Sequence, residues 1–164
     1  MHIDHFHPAR IRVVKEYNMN LGLIGAGLVM GISAVGSAIG IGIASQSVIG
    51  AWKRCYATEK PVPMTLLAFG GAPLTQTFYG YILGFLFLKP AALARPEMAP
   101  LYLGIGIASG LAICFSAIAQ GQAGAAGADA TGATGKGFVN YMMLVGVCET
   151  IAIFAMVLSM ISLN

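Results

Sequence analysis

Charge is what this sequence has least of. Of 164 residues, nine are Lys or Arg and six are Asp or Glu, so 9% are charged, against roughly 25% in soluble domains. So few charges cannot cover a water-exposed surface, which excludes an ordinary soluble globule. The formal net charge of +3 falls in a terminal tail and in short connections, as membrane flanks do, and forms no nucleic-acid surface. Cysteine is sparse as well. Cys114 and Cys148 stand inside apolar runs and Cys55 in a connection, which excludes a disulfide framework and a thiolate metal site. All three histidines, His2, His5 and His7, crowd into the tail without an accompanying ligand set, so a surface tail is expected there and not a metal centre. Aromatic residues make up 9% with a single tryptophan, too few around any one point to line a large substrate cavity.

What remains is apolar. Hydrophobic residues reach 57% and the mean hydropathy is +0.80, the composition of an all-α membrane protein. After a polar tail over 1–20, four apolar runs follow at about Leu21 to Ala51, Met64 to Leu88, Leu101 to Gly127 and Phe138 to Leu163. Each is long enough to cross a bilayer with some tilt. The connections between them, Trp52 to Pro63, Lys89 to Pro100 and Ala128 to Gly137, carry the expected helix stops Pro61, Pro63, Pro90, Pro96, Pro100, Gly132, Gly135 and Gly137. Four spans with short connections predict an up-down-up-down topology with both termini on one side. Five Lys or Arg on one side (Arg10, Arg12, Lys15, Lys89 and Arg95) face four on the other (Lys53, Arg54, Lys60 and Lys136), so the positive-inside rule sets no orientation.

The chain is built twice. A shift of 79 lays Gly25, Gly27, Gly31, Ser37, Ala38, Ile39, Gly42 and Ala44 on Gly104, Gly106, Gly110, Ser116, Ala117, Ile118, Gly121 and Ala123. A shift of 73 lays Leu74-Thr75-Gln76-Thr77 on Val147-Cys148-Glu149-Thr150. The fold expected is therefore two duplicated helical hairpins running parallel, over 21–88 and 101–164. Small residues recur every four positions along the first and third spans, as in Ala34, Ala38 and Gly42, or Ala117, Gly121 and Ala125. Such rows let helix backbones approach in lipid. They cover more faces than one neighbour inside a four-helix bundle needs, which points to contact with other copies.

Glu149 is a lone carboxylate near the middle of the fourth run. An ionised carboxylate there costs about 2.5–3.5 kcal/mol on insertion scales, so it implies a bound cation, a proton or buried donors. The second span offers partners. In Gly71-Ala72-Pro73-Leu74-Thr75-Gln76-Thr77-Phe78-Tyr79, helical spacing puts Thr75, Gln76 and Tyr79 on one side. Pro73 lacks an N–H and leaves a backbone carbonyl free in the preceding turn. The third span adds Gln120, with Gln122 facing elsewhere. This donor set suits a hard monovalent cation, whereas a proton needs the carboxylate and fewer oxygens.

With its duplicated hairpins, the Gly71 to Tyr79 stretch, Ser116-Ala117-Ile118-Ala119-Gln120-Gly121 and Glu149-Thr150, the sequence resembles the four-helix proteolipid, called K or c, of vacuolar-type and bacterial V-type rotary ATPases. The likeness covers about residues 20–164 and is strongest to the sodium-translocating bacterial members. The resemblance implies a rotor ring of copies of this chain in a bacterial plasma membrane, first and third helices inward, second and fourth outward. It implies Na+ at Glu149, Gln120, Thr75, Gln76 and the Ala72 carbonyl, with Tyr79 hydrogen-bonding the carboxylate, or H+ alone at Glu149. Ala72 stands where the family pattern has leucine. No organic cofactor and no nucleic acid are implied. The implied partners are a stator subunit with an essential arginine, central-stalk subunits and lipid, with ATP chemistry on other subunits. A small four-helix secondary transporter using a lone intramembrane Glu is the alternative.

Overall fold

The computed structural model describes residues 8–163; the histidines of the tail lie outside the described residues. Four helices are long and apolar enough to cross a membrane: Leu21–Ala57, Met64–Ala94, Pro96–Thr134 and Phe138–Ile161. The first belongs to α1 (Pro8–Ala57), which starts inside the stretch expected as a polar tail. The second is a composite of a 3-10 turn at Met64–Leu66, α2 (Leu67–Gly71), a 3-10 turn at Ala72–Leu74, α3 (Thr75–Tyr81), a π-helical stretch at Ile82–Leu88 and α4 (Lys89–Ala94). The third and fourth are α5 (Ala99–Thr134) and α6 (Phe138–Ile161).

Contact partners fix the topology. Gly25 meets Gly106 and Gly40 meets Gly121, so α1 and α5 run parallel. Gly70 lies by Ser45 and Gly84 by Ala26, so the second span returns antiparallel to α1. Ser109 reaches Ser159 and Ser116 reaches Cys148, so α6 returns antiparallel to α5. The result is two parallel hairpins with α1 against α5 at the centre. A Cβ on Gly106 would overlap the Gly25 carbonyl, and one on Gly121 the Gly40 carbonyl. Glycine is therefore required where these two backbones touch.

Half of the repeated positions are used within the chain. On α1, Gly25, Val29, Ile32, Gly36 and Gly40 face α5; on α5, Gly106, Gly110, Cys114, Ala117 and Gly121 face α1. Advanced by 79, the α1 row becomes Gly104, Ala108, Leu111, Phe115 and Ala119, all exposed. Moved back by 79, the α5 row becomes Gly27, Gly31, Val35, Ala38 and Gly42, exposed except for half-buried Gly42. Each half of the internal joint thus has an image left open on the other hairpin.

Three expected stops do not stop their helices. Pro90 sits at the start of α4 because the preceding π-helical turn, in which the Lys89 N–H bonds to Gly84 O, widens the backbone around the residue that cannot donate. Pro100 lies in the first turn of α5, where a missing N–H costs nothing. Gly132 lies inside α5 and packs on Ala51. The middle connection, expected over Lys89 to Pro100, narrows to a break at Arg95 (φ −131°, ψ 71°) and a 3-10 turn at Pro96–Met98. The third, expected from Ala128, begins at Gly135, where Gly135 (φ 67°) and Gly137 (φ 80°) take left-handed backbone that glycine adopts without strain.

Candidate functional site

Glu149 is the twelfth of the 24 residues of α6, halfway along it. At 1.5 Å per residue the helix extends about 18 Å to either side, enough to reach both faces of a hydrocarbon core about 30 Å thick. Opposite it, Pro73 tightens the second span into the 3-10 turn Ala72–Leu74. That turn brings the Ala72 carbonyl within 3.1 Å of Thr75 Oγ1, which donates to it. From Thr75 onward α3 is regular, and Gln76 and Tyr79, three residues apart, point at α5 and α6.

All six residues expected at the site join one unbroken hydrogen-bonded chain. Thr75 Oγ1 lies 3.2 Å from Gln76 Oε1, in position to donate to it. Gln76 Nε2 donates to Gln120 Oε1 at 2.6 Å. Gln120 Nε2 in turn faces Glu149 Oε2 at a loose 3.5 Å, and Tyr79 O–H donates to Glu149 Oε1 at 2.5 Å. The tyrosine contact is short, as expected for a hydroxyl on a carboxylate. Burial grades along the chain: Gln76 is 0% and Gln120 1% exposed, while Thr75, Tyr79 and Glu149 are half-buried. The amides thus form the closed back of the site and the carboxylate its outer edge. Gln122, two residues past Gln120, is exposed, as its helical position predicts.

Two partners were not foreseen from sequence. Gln120 Nε2 also donates to the Val145 carbonyl at 3.2 Å, one turn before Glu149, and Ser116 Oγ donates to the Cys148 carbonyl at 2.7 Å. Both tie α5 to the α6 backbone beside the carboxylate. Acceptors of this kind carry no side-chain signature; the one available signal was Ser116, four residues before Gln120 and on the same helix face.

The donor set can be tested against a hard cation. Ala72 O, Thr75 Oγ1 and Gln76 Oε1 already cluster with separations of 3.1 and 3.2 Å, and Gln120 Oε1 and a Glu149 oxygen complete five. Backbone carbonyls freed at an irregular turn, set beside a carboxylate, are how broken membrane helices coordinate Na+ or H+. The residues present fit such an ion.

Residues 103–162, the hairpin that holds Gln120 and Glu149, match the family model of the ATP synthase C-type proteolipid. The A-type ATP synthase subunit K of Methanocaldococcus jannaschii is 34% identical over 144 residues, an alignment that takes in 87% of this chain and 61% of that protein. The chain therefore spans less than two thirds of the length of this relative. With a match on the carboxylate-bearing hairpin and likeness to a subunit K along most of its own length, the chain belongs to the proteolipid (K or c) family of V- and A-type ATPases.

Proposed function

We propose that this chain is the ion-carrying unit of a membrane rotor ring, each copy holding one Na+, or one H+ in its place, on Glu149. The observation that carries the reading is the hydrogen-bonded chain from Ala72 O through Thr75, Gln76, Gln120 and Glu149 to Tyr79 at the midpoint of α6. A proton needs only the carboxyl and one acceptor, so the further oxygens favour Na+. Turning the Gln76 carboxamide exchanges its N–H, now on Gln120, for its carbonyl oxygen and brings five oxygens to one centre.

The cycle follows from electrostatics. Paired with its ion, Glu149 is neutral and faces lipid at low cost. An arginine on a stationary stator subunit offers the carboxylate another cation and releases the ion. Tyr79 holds the carboxylate in place in the loaded state. Central-stalk subunits would turn the ring, with ATP chemistry on other subunits. The bacterial plasma membrane is the compartment that the sodium-type resemblance implies.

The ring itself is supported by the open images of the α1–α5 joint. If Gly104, Ala108, Leu111, Phe115 and Ala119 of one copy meet Gly27, Gly31, Val35, Ala38 and Gly42 of the next, the contact between copies repeats the contact within a copy. A face that meets a different face is heterologous and closes a cycle when the rotation divides the circle. Two measurements test the proposal on purified protein. Sodium at fixed neutral or alkaline pH should protect Glu149 from a carbodiimide, and the mass in mild detergent should correspond to many copies. No protection leaves a proton-carrying ring; a dimer returns the small secondary transporter.

A further inference from the structure

A cleft of about 450 Å³ opens between the ends of the second span and α6, walled by Phe87, Pro90 and Ala91 on one side and by Val157, Met160 and Leu163 on the other. Its lining side chains are apolar throughout, and no residue of the carboxylate site borders it. Its depth follows from α6. Met160 is eleven residues from Glu149, hence about 17 Å along the axis, just past the half-thickness of the hydrocarbon core. The cleft therefore straddles the boundary between acyl chains and headgroups.

Two cations stand at that level. Arg95, where the second span breaks, donates from its guanidinium to the carbonyl of Leu163 on the cleft wall. Lys89 holds its ammonium 4.4 Å from the centroid of the Phe85 ring, one turn along the same span. Among the described residues the one ion pair is Arg54 with Asp129, so neither Arg95 nor Lys89 is neutralised there. A guanidinium has five donors in a planar fork suited to phosphate, and Leu163 uses one of them.

We propose that this cleft binds one anionic phospholipid, its upper acyl segment between the second span and α6 and its phosphate on Arg95, with Lys89 as the second cation. A neighbouring helix, about 10–12 Å across with its side chains, is too thick for the space, whereas an acyl chain is narrow and unbranched. The π-helical stretch Ile82–Leu88 and Pro90 form one wall, so the backbone irregularity that carries the helix through the proline also shapes the cleft. The inference needs the chain to span a membrane and does not depend on which ion Glu149 carries.

The test is native mass spectrometry of the full chain, purified in mild detergent and incubated with palmitoyl-oleoyl phosphatidylglycerol or with the phosphatidylcholine of the same acyl chains. Phosphatidylglycerol should be retained about tenfold better, the scale of a charge-assisted hydrogen bond. Arg95→Gln should erase that preference, Arg95→Lys should keep part of it, and Ala91→Phe, which fills the cleft, should lose both lipids. Sodium protection of Glu149 should be unchanged in Ala91→Phe, which separates failure here from failure of the ion reading. Equal retention of the two lipids, a preference that survives Arg95→Gln, or a photo-crosslinker at Met160 that captures only polypeptide would overturn the proposal.

Discussion

Replacing Gln120 by alanine removes the centre of the site in one step. Its side chain accepts from Gln76 at 2.6 Å and donates to Val145 O at 3.2 Å and to Glu149 at 3.5 Å. Gln76 is 0% exposed, so its orphaned amide cannot turn to solvent, and leaving such a group unpaired costs about 1–3 kcal/mol. For a bound cation the loss is one oxygen of five. An interaction with a charged group contributes about 1.5–3 kcal/mol, so the sodium concentration that half-protects Glu149 from carbodiimide labelling should rise about ten- to hundredfold. Gln122→Ala is the control, since Gln122 is exposed on another face of α5. The double variant Gln76→Ala/Gln120→Ala should be less impaired than the sum of the single changes, because the two amides bond to each other. A Gln120→Ala protein protected at the original sodium concentration, or a Gln122→Ala protein equally impaired, would refute the reasoning.

Four further outcomes are expected. Glu149→Gln should assemble normally yet transport no ion, as an amide keeps shape and hydrogen bonding but cannot exchange between ion and arginine; transport assays in vesicles decide this. Gln76→Glu should weaken sodium dependence and strengthen proton dependence, because two carboxylates in one pocket repel and one retains a proton; unchanged sodium affinity would remove Gln76 from the ligand set. As pH falls, the sodium needed for protection should rise, since protons compete for the same carboxylate and more of it is protonated at each step down; labelling across a pH series measures it. Gly31→Leu, at an open position, should lower the copy number or dissolve the ring while leaving the helical content intact, whereas Gly121→Leu, against the Gly40 backbone, should impair folding of the chain itself; sedimentation and circular dichroism separate the two.

The spans, their alternation and the doubling were legible because a bilayer demands long apolar helices and because the repeat is written in glycines. The ends were less legible. Pro90 reads as a stop, yet a π-helical turn accommodates it, and that adjustment depends on Gly84 packing against α1 as well as on local sequence. Gly132 reads as a breaker but serves a close contact with Ala51. At the site, the side chains spaced along α3 could be read from helical periodicity, and Glu149 from its isolation. The Val145 and Cys148 carbonyls could not, since every residue carries such a group and only tertiary packing selects which ones are met.

The joint between α1 and α5 also has a consequence for energy conversion. In a ring whose copies meet through an image of their own internal contact, the rotation per hairpin is set by how closely two glycine-lined backbones approach, as Gly40 and Gly121 do. Because the circle must close on a whole number of chains, a slight change in that approach alters the count by an integer. Each chain brings one Glu149 and one Gln76, so the count of chains is also the count of charges moved per revolution. The exchange ratio between ATP and transported ions is then a quantity that a single methyl group at a helix crossing can reset.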